Sequence, residues 1–228
     1  MSPVWLSRRK AQVLTDELPP QDQRVVWQIA ALLLDYPTQQ NLGLLEELSA
    51  VAKALPAPAG PALASFLAQA RRRPPMELAA HYVETFDLRR RSCLHLSYYA
   101  YGDTRKRGMA LLRFTHAYRA AGVTLGEHEL PDHLAVVLEF AATVDPVAGR
   151  RLLVEYRPVI ELLRLSLDEI DSPYRAVLDA VCATLPELGV ADQRRVTELA
   201  AQGPPAEEVG LEPFGVDPML LEQREGRR

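Results

Sequence analysis

The sequence predicts an all-α protein that consists of one compact helical-bundle domain and a C-terminal tail. Along most of the chain, apolar residues recur at the spacing that places them on one face of a helix. Neither an alternating strand pattern of useful length nor an internal repeat of fixed period is found. Most of the 18 prolines lie at the first turn of a predicted helix or just after its end, where they do not interrupt helical hydrogen bonds.

Length and composition favour a single domain. The chain has 228 residues, of which 48% are hydrophobic and 25% are charged, so it has enough apolar mass for one core. From Gln202 onward, prolines, glycines and acidic residues replace the helical pattern, which is typical of disorder. We therefore predict a flexible N-terminal segment at 1–21, an all-helical domain at 22–201 and a disordered acidic tail at 202–228.

The N-terminal half of the domain contains helices that prolines separate. The first predicted helix follows Pro20 and ends at Tyr36, because the residue before Pro37 avoids the helical conformation. Asn41 is the predicted N-cap of the next helix, whose apolar face runs to Leu55. A short helix at 63–70 and a longer one at 76–86 follow.

The C-terminal half has the clearest helix boundaries. Asp145-Pro146 and Ser172-Pro173 each combine a capping residue with a proline, and both pairs predict helix starts. Between them, Pro158 is expected to kink or split a long apolar stripe. Further predicted helices cover the apolar faces at 111–121, 134–141, 177–185 and 196–199.

No segment of the sequence has the features of a membrane span or an export signal. The apolar runs are shorter than the ~18 residues that a transmembrane helix requires. The stretch 7–10, Ser-Arg-Arg-Lys, lacks the apolar region that follows in a twin-arginine signal. Cys93 and Cys182 stand apart in apolar surroundings and are predicted to be buried thiols. These features predict a cytoplasmic protein without stable membrane insertion.

The sequence lacks the usual residue patterns of catalytic and metal sites. Its five histidines include no pair at zinc-site spacing on one helix, and no glycine-rich phosphate loop precedes a helix. The serines lack a nucleophile elbow, although a triad that only the fold assembles stays open. A net charge of −4 and the lack of a helix-turn-helix pattern disfavour nucleic acid as a partner. We therefore predict that the protein is not an enzyme and that it binds neither a metal nor a cofactor. A small helical nucleotide-binding enzyme is the alternative.

Two stretches of the sequence combine aromatic, apolar and charged side chains in a way that suits binding of an amphipathic helix. The first contains YVETFD at 82–87 and LHLSYYAYGDTRKRG at 94–108, and the second is ELPDHL at 129–134. In this order, these stretches resemble the chaperones that assemble the molybdenum subunit of respiratory nitrate reductase, the NarJ branch of the TorD/DmsD family.

This resemblance implies an all-helical, non-enzymatic chaperone whose client is the apo α subunit of a nitrate reductase. Such a chaperone binds the N-terminal segment of its client, delays membrane docking and promotes insertion of the molybdenum cofactor. It is not part of the final enzyme. Contact with proteins that deliver the molybdenum cofactor is a further expectation. The alternative is a chaperone that binds the twin-arginine signal of another molybdoenzyme.

The client-binding surface is expected to draw on both motif stretches. Its predicted residues are Tyr82, Phe86, Asp87, Arg91, Tyr98, Gly102, Arg105, Arg107, Glu129, Pro131, Asp132 and His133. Asp132 has two interpretations that the sequence does not separate: it caps the following helix, or it belongs to the recognition surface. His133 is expected in the first turn of that helix, where the helix dipole favours its neutral form.

Overall fold

The structure of the chain is a computed structural model, which describes residues 18–101, 105–126 and 129–203. Within these ranges the chain forms helices and connecting loops and no β-strand, which confirms the all-α fold class. The predicted residue Gly102, the N-terminal segment up to residue 17 and the tail from residue 204 lie outside the described ranges. The predicted domain boundaries therefore stay predictions.

The helices of the N-terminal half are α1 (Pro20–Leu33), α2 (Gln39–Gly43), α3 (Leu45–Ala54), α4 (Ala59–Ala70), α5 (Pro75–Tyr82) and α6 (Tyr98–Tyr101). Those of the C-terminal half are α7 (Arg105–Ala120), α8 (Leu134–Glu139), α9 (Pro146–Glu155), α10 (Arg157–Glu169), α11 (Tyr174–Cys182) and α12 (Val190–Gln202). Helices α5 and α8 each continue into a π-helical turn, at Val83–Asp87 and Phe140–Val144. Among the described helices, none has the length and apolar content that a membrane crossing requires.

Helix α1 lies in the middle of the bundle. It packs against α8 and the π-helical turn that follows it, and against α11, α3 and α4. Val26, Trp27 and Ala30 of α1 are fully buried, and the Trp27 indole N–H donates a 2.8 Å hydrogen bond to the hydroxyl of Thr184 beyond α11. The core therefore surrounds α1, and its C-terminal end leads to the loops that form the candidate site.

Local sequence signals account for the break between α9 and α10. The carboxylate of Asp145 accepts hydrogen bonds from the backbone N–H of Val147 at 3.0 Å and of Ala148 at 2.9 Å, and so caps α9 as predicted. The helix is interrupted at Tyr156, and Pro158 lies in the first turn of α10. Proline fits there because its missing N–H would have no helical partner. The predicted long apolar stripe is therefore split into two helices.

The predicted second helix differs from expectation in its cap and its length. Thr38 caps α2 by accepting a 3.2 Å hydrogen bond from the backbone N–H of Asn41, so the prediction of Asn41 as the cap was wrong. The Asn41 side chain instead donates to the Asp35 carboxylate at 3.2 Å and to the Tyr36 carbonyl at 3.1 Å. Threonine and asparagine have similar capping preferences, so sequence alone did not choose between neighbouring candidates.

Candidate functional site

Two loop segments that lie far apart in the sequence are paired side by side in the fold. The backbone N–H of Leu96 donates to the carbonyl of Asp132 at 3.0 Å. In return, the N–H of Leu134 donates to the carbonyl of Leu94 at 2.9 Å. The two bonds form an isolated antiparallel bridge that joins the two sequence motifs.

Next to this bridge, the carboxylate of Asp132 is fully buried and gathers polar partners from both motifs. It accepts hydrogen bonds from the backbone N–H of Ser97 at 3.1 Å and from the Ser97 hydroxyl. The ring of His95 lies 3.3 Å away through Nδ1, and the Arg107 guanidinium lies 3.6 Å away. We call Asp132, Ser97, His95 and Arg107 the Asp132 network.

The contacts of the Asp132 carboxyl determine its pKa and therefore its protonation state. Burial alone would raise this pKa, but the hydrogen bonds from His95 and Ser97 and the charges of His95 and Arg107 outweigh burial. The balance lowers the pKa of Asp132 from 3.8 to about 2. The carboxylate is therefore ionised at neutral pH, and its charge fixes the geometry of both loops.

The network excludes the interpretation of Asp132 as a helix cap. Helix α8 begins at Leu134, and His133 occupies its N-cap position without a side-chain hydrogen bond to the helix. The carboxylate of Asp132 is directed to Ser97 instead, in the other motif. A buried carboxylate requires strong donors, and the backbone N–H and the hydroxyl of Ser97 supply them, while the Arg107 guanidinium contributes an opposite charge 3.6 Å away.

The Ser97, Asp132 and His95 side chains bring together the residue types of a hydrolytic triad, but in the wrong order. In a working triad the histidine contacts the serine hydroxyl and removes its proton. Here the carboxylate lies between the two side chains, and Ser97 is fully buried. The arrangement provides no activated nucleophile and no access for a substrate.

Further contacts attach α7 to the same loops. Arg107 of α7 donates through Nε to the Ser97 hydroxyl at 3.2 Å, and its guanidinium lies 5.9 Å from the ring centroid of Tyr98. The hydroxyl of Tyr118, near the other end of α7, donates to the carbonyl of Pro131 at 2.7 Å. The position of the ELPDHL motif therefore depends on both ends of α7.

A cleft of about 380 Å³ opens beside the network, between the C-terminal half of α1 and the segment 129–139. We call it the histidine cleft, because His95 and His133 form part of its wall with their rings 5.1 Å apart in a T-shaped contact. Its apolar wall residues are Ala31, Leu32, Leu130, Ala135 and Val136, and its other polar wall residues are Gln28, Asp35, Glu129 and Glu139.

The charge of the histidine cleft is negative. Asp35, Glu129 and Glu139 contribute carboxylates, and the described wall contains no lysine or arginine. Burial, assisted by the charge of His95, lowers the pKa of His133 from 6.5 to about 4, so this ring is neutral at physiological pH. The neutral form of His133 agrees with the sequence-based expectation, although burial is the main cause. Apolar wall residues beside three carboxylates suit a basic amphipathic peptide.

The predicted aromatic residues of the first motif lie in the core. Tyr82 and Phe86 are buried, with ring centroids 5.0 Å apart, and Phe86 also contacts Tyr174 at 4.8 Å. The Tyr82 hydroxyl donates to the carbonyl of Leu34 at 3.2 Å. Both side chains thus hold α5 and its π-helical turn against α1 and α11, and a direct role in client binding stays a prediction.

The other predicted site residues lie in the cleft wall, behind the cleft or on the exposed surface away from it. Glu129 and His133 line the histidine cleft, while Tyr98, Arg107, Pro131 and Asp132 belong to the contacts behind it. Asp87, Arg91 and Arg105 are exposed, and none of them lines the cleft. The structure therefore brings together the second motif and part of the first, and it leaves Asp87, Arg91 and Arg105 outside the cleft.

Sequence reasoning did not select most of the residues that the fold places at the site. His95 and Ser97 lie inside the LHLSYY motif, and Asp35 and Leu32 lie at the end of α1. One signal could have pointed to Asp35: it is a polar residue directly after the apolar end of a helix, in Leu-Asp-Tyr-Pro at 34–37. Among the described residues, no cluster of histidine, cysteine, aspartate or glutamate has the arrangement that holds a metal ion.

Comparisons with known proteins agree with this fold and these motifs. The model of the family described as "Nitrate reductase delta subunit" matches residues 52–180, which include both motif stretches. A redox enzyme maturation protein from Archaeoglobus fulgidus has a similar fold, with a TM-score of 0.54 and 23% identity over 70% of this chain and 91% of that one.

Relatives in bacteria extend the comparison. The nitrate reductase-like protein NarX of Mycobacterium tuberculosis H37Rv is 48% identical over 70% of this chain, which spans only 24% of NarX. NarJ of Bacillus subtilis is 29% identical over 75% of this chain and 94% of its own length. NarJ of Escherichia coli K12, a nitrate reductase molybdenum cofactor assembly chaperone, is 32% identical over 66% of this chain and 65% of its own length. The Bacillus subtilis protein is described as a probable chaperone of the same kind, and these descriptions agree with the prediction that the chain is not an enzyme.

Proposed function

Because this chain belongs to the nitrate reductase delta subunit family, we propose that it is a chaperone for assembly of a nitrate reductase. Its client is the apo form of the catalytic α subunit, and it binds the N-terminal segment of that subunit. While bound, it promotes insertion of the molybdenum cofactor and delays membrane docking, and it then leaves the mature enzyme.

The observation that carries this proposal is the histidine cleft. A client helix placed in the cleft would direct apolar side chains, spaced by three and four positions, toward Leu32, Leu130 and Val136. Basic side chains at the edge of the same helix would face Glu129 and Glu139. The combination of apolar and acidic wall residues supports a basic amphipathic segment as the ligand.

The Asp132 network supports the cleft from behind, and of its four residues only His95 forms part of the cleft wall. Asp132 is fully buried, so it acts as a positioning residue that holds the ELPDHL segment against the LHLSYY segment. Tyr118 adds a second attachment through the Pro131 carbonyl. A cleft with fixed walls binds its ligand at a lower entropic cost than a mobile loop does. The two motifs therefore share one role, with recognition at the surface and positioning beneath it.

The residues of the cleft also suit reversible binding of a client. Its carboxylates are near solvent, so their attraction for a basic client is screened by salt and contributes modestly to affinity. The apolar wall residues contribute the part of the binding that salt does not screen. Moderate affinity suits a chaperone that must release its client once the cofactor is in place.

Calorimetric titration with a synthetic peptide of the α subunit N-terminus tests the proposal. Leu130→Ser removes an apolar side chain from the cleft wall, and Glu139→Lys reverses a charge in that wall. We expect each change to raise the dissociation constant of the peptide about tenfold, since each removes roughly 1.4 kcal/mol of binding free energy. Leu112→Ser and Glu84→Lys are matched controls at exposed positions outside the cleft, and they should bind like the unmodified chain.

Three results would contradict the proposal. Equal binding by the cleft variants and the controls would remove the client from the histidine cleft. Tighter binding of a twin-arginine signal peptide from another molybdoenzyme would support the alternative client. Turnover of a nucleotide by the purified chain, without any peptide binding, would support the small helical enzyme.

A further inference from the structure

A second, smaller pocket lies between α10 and α12, near the end of the described chain. Its volume is about 80 Å³, which is enough for an apolar side chain, and its lining is mainly apolar. Leu162 and Leu165 of α10 form one wall, and Leu199 of α12 forms another. We call it the α10–α12 pocket. It has no lining residue in common with the histidine cleft.

The rim of this pocket combines an exposed apolar side chain with a cationic one. Leu165 is 37% exposed, although it extends the apolar wall of the pocket. The side chain of Arg91 is 65% exposed and reaches Glu169 only at 4.0 Å, which is the outer limit of an ion pair. The rim therefore offers a ligand apolar surface, the solvent-accessible guanidinium of Arg91 and the equally exposed carboxylate of Glu169.

The chain itself leads into this pocket. Helix α12 ends at Gln202, and Gly203, which lines the pocket, has a positive φ of 68° that turns the backbone out of the helix. The sequence then continues from 204 to 228. Its first part contains the apolar residues Val209, Leu211 and Phe214, and it has acidic but no basic residues before Arg224.

We propose that the tail segment 207–216 docks in the α10–α12 pocket of its own chain. An apolar side chain of this segment fills the pocket beside Leu165, and its acidic residues face Arg91. Tethering at Gly203 keeps the segment at a high effective concentration near the pocket, so weak contacts suffice for docking. Residues between Gly203 and Leu211 are numerous enough to loop back, because an extended chain covers roughly 3.3 Å per residue.

This interaction gives Arg91 acidic partners in addition to Glu169. It also covers Leu165, an exposed apolar residue that would otherwise favour nonspecific association. Because the pocket and the histidine cleft do not share residues, tail docking is independent of the proposed client binding. A failure of one proposal would leave the other intact.

Amide hydrogen exchange of the full chain, without any client, tests the docking. In the unmodified protein we expect segment 207–216 to exchange roughly tenfold more slowly than the same segment in Leu165→Asp, because docking protects backbone amides. A tail variant with Leu211→Ser and Phe214→Ser should show the same fast exchange, and it leaves the helical domain unaltered. Leu112→Asp is the control, since Leu112 is an exposed leucine in the groove between α7 and α9.

Two outcomes would overturn the proposal. Exchange of 207–216 in the unmodified chain at the rate of an unstructured peptide would show that the segment does not dock. Loss of protection in Leu112→Asp but not in Leu165→Asp would place the tail in the α7–α9 groove instead. The tail variant decides the matter even if Leu165→Asp unfolds, because the sequence of the helical domain is unchanged in that variant.

Discussion

The carboxylate of Asp132 accepts hydrogen bonds from both the backbone N–H and the hydroxyl of Ser97, which is 35 positions earlier in the sequence. This contact helps to fix the relative position of the two loops, together with the short backbone bridge and the contacts of His95 with Asp132 and His133. Both partners are fully buried, so the stability of the fold and the shape of the cleft depend on the same carboxylate.

Asp132→Asn should lower the free energy of unfolding by about 2 kcal/mol, because a buried charged acceptor with several donors is replaced by a neutral amide. Urea denaturation monitored by circular dichroism measures this change. Asp168→Asn, which affects an exposed ion pair with Arg175, is the control and should cost less than about 0.5 kcal/mol. Equal effects of both substitutions would show that the Asp132 network does not stabilise the fold.

Stability should fall in acid as Asp132 becomes protonated. The pKa of Asp132 is lowered to about 2 in the fold, so its contribution is fully present above the unfolded value of 3.8. The contribution is lost as pH falls from about 4 toward about 2. Unfolding measured across this range should show a smaller acid destabilisation in Asp132→Asn than in the unmodified chain. Parallel pH curves would contradict the prediction.

His133 should make stability depend on pH in a higher range. Its pKa is lowered from 6.5 to about 4 in the fold, so the neutral ring contributes stability that is fully present above pH 6.5. This contribution is lost as pH falls from about 6.5 through about 4. In His133→Gln we expect a flatter stability curve over this interval, measured by thermal unfolding. An unchanged slope would show that His133 does not titrate there.

Gly149→Ala should destabilise the fold by about 2 kcal/mol, because an added Cβ would overlap Cα and Cβ of Ala141 where α9 crosses the preceding π-helical turn. Gly43→Ala is the matched control in α2, since no atom lies within 4 Å of its added Cβ. That substitution should be neutral or stabilise by about 0.5 kcal/mol. Denaturant midpoints compare the two, and a tolerated Gly149→Ala would contradict this close helix crossing.

Tyr118→Phe tests the second attachment of the ELPDHL segment. It removes the hydroxyl that donates to the Pro131 carbonyl, and we expect a loss of about 1 kcal/mol in stability. Binding of the client peptide should weaken as well, because Pro131 is next to the cleft residue Leu130. Thermal unfolding and calorimetry on the same variant measure both effects. Unchanged affinity would separate this attachment from the site.

The sequence by itself determined the all-α class and most helix positions. These features depend on interactions between near neighbours, such as the apolar spacing of α1 or the capping of α9 by Asp145. The same local signals also predicted that Pro158 would divide the long C-terminal stripe. Where two local candidates were chemically equivalent, as for Thr38 and Asn41, the sequence did not choose correctly.

Only the tertiary structure decided which motif residues face the cleft. Periodicity shows that Tyr82 and Phe86 occupy an apolar face, but it does not show that the partner of that face is Tyr174 in the core. A polar loop residue such as Asp132 has no local pattern that names its partner, because the donors come from a distant part of the chain. The acidic cleft exists because folding brings the end of α1 beside both loops, and long-range packing alone determines that arrangement.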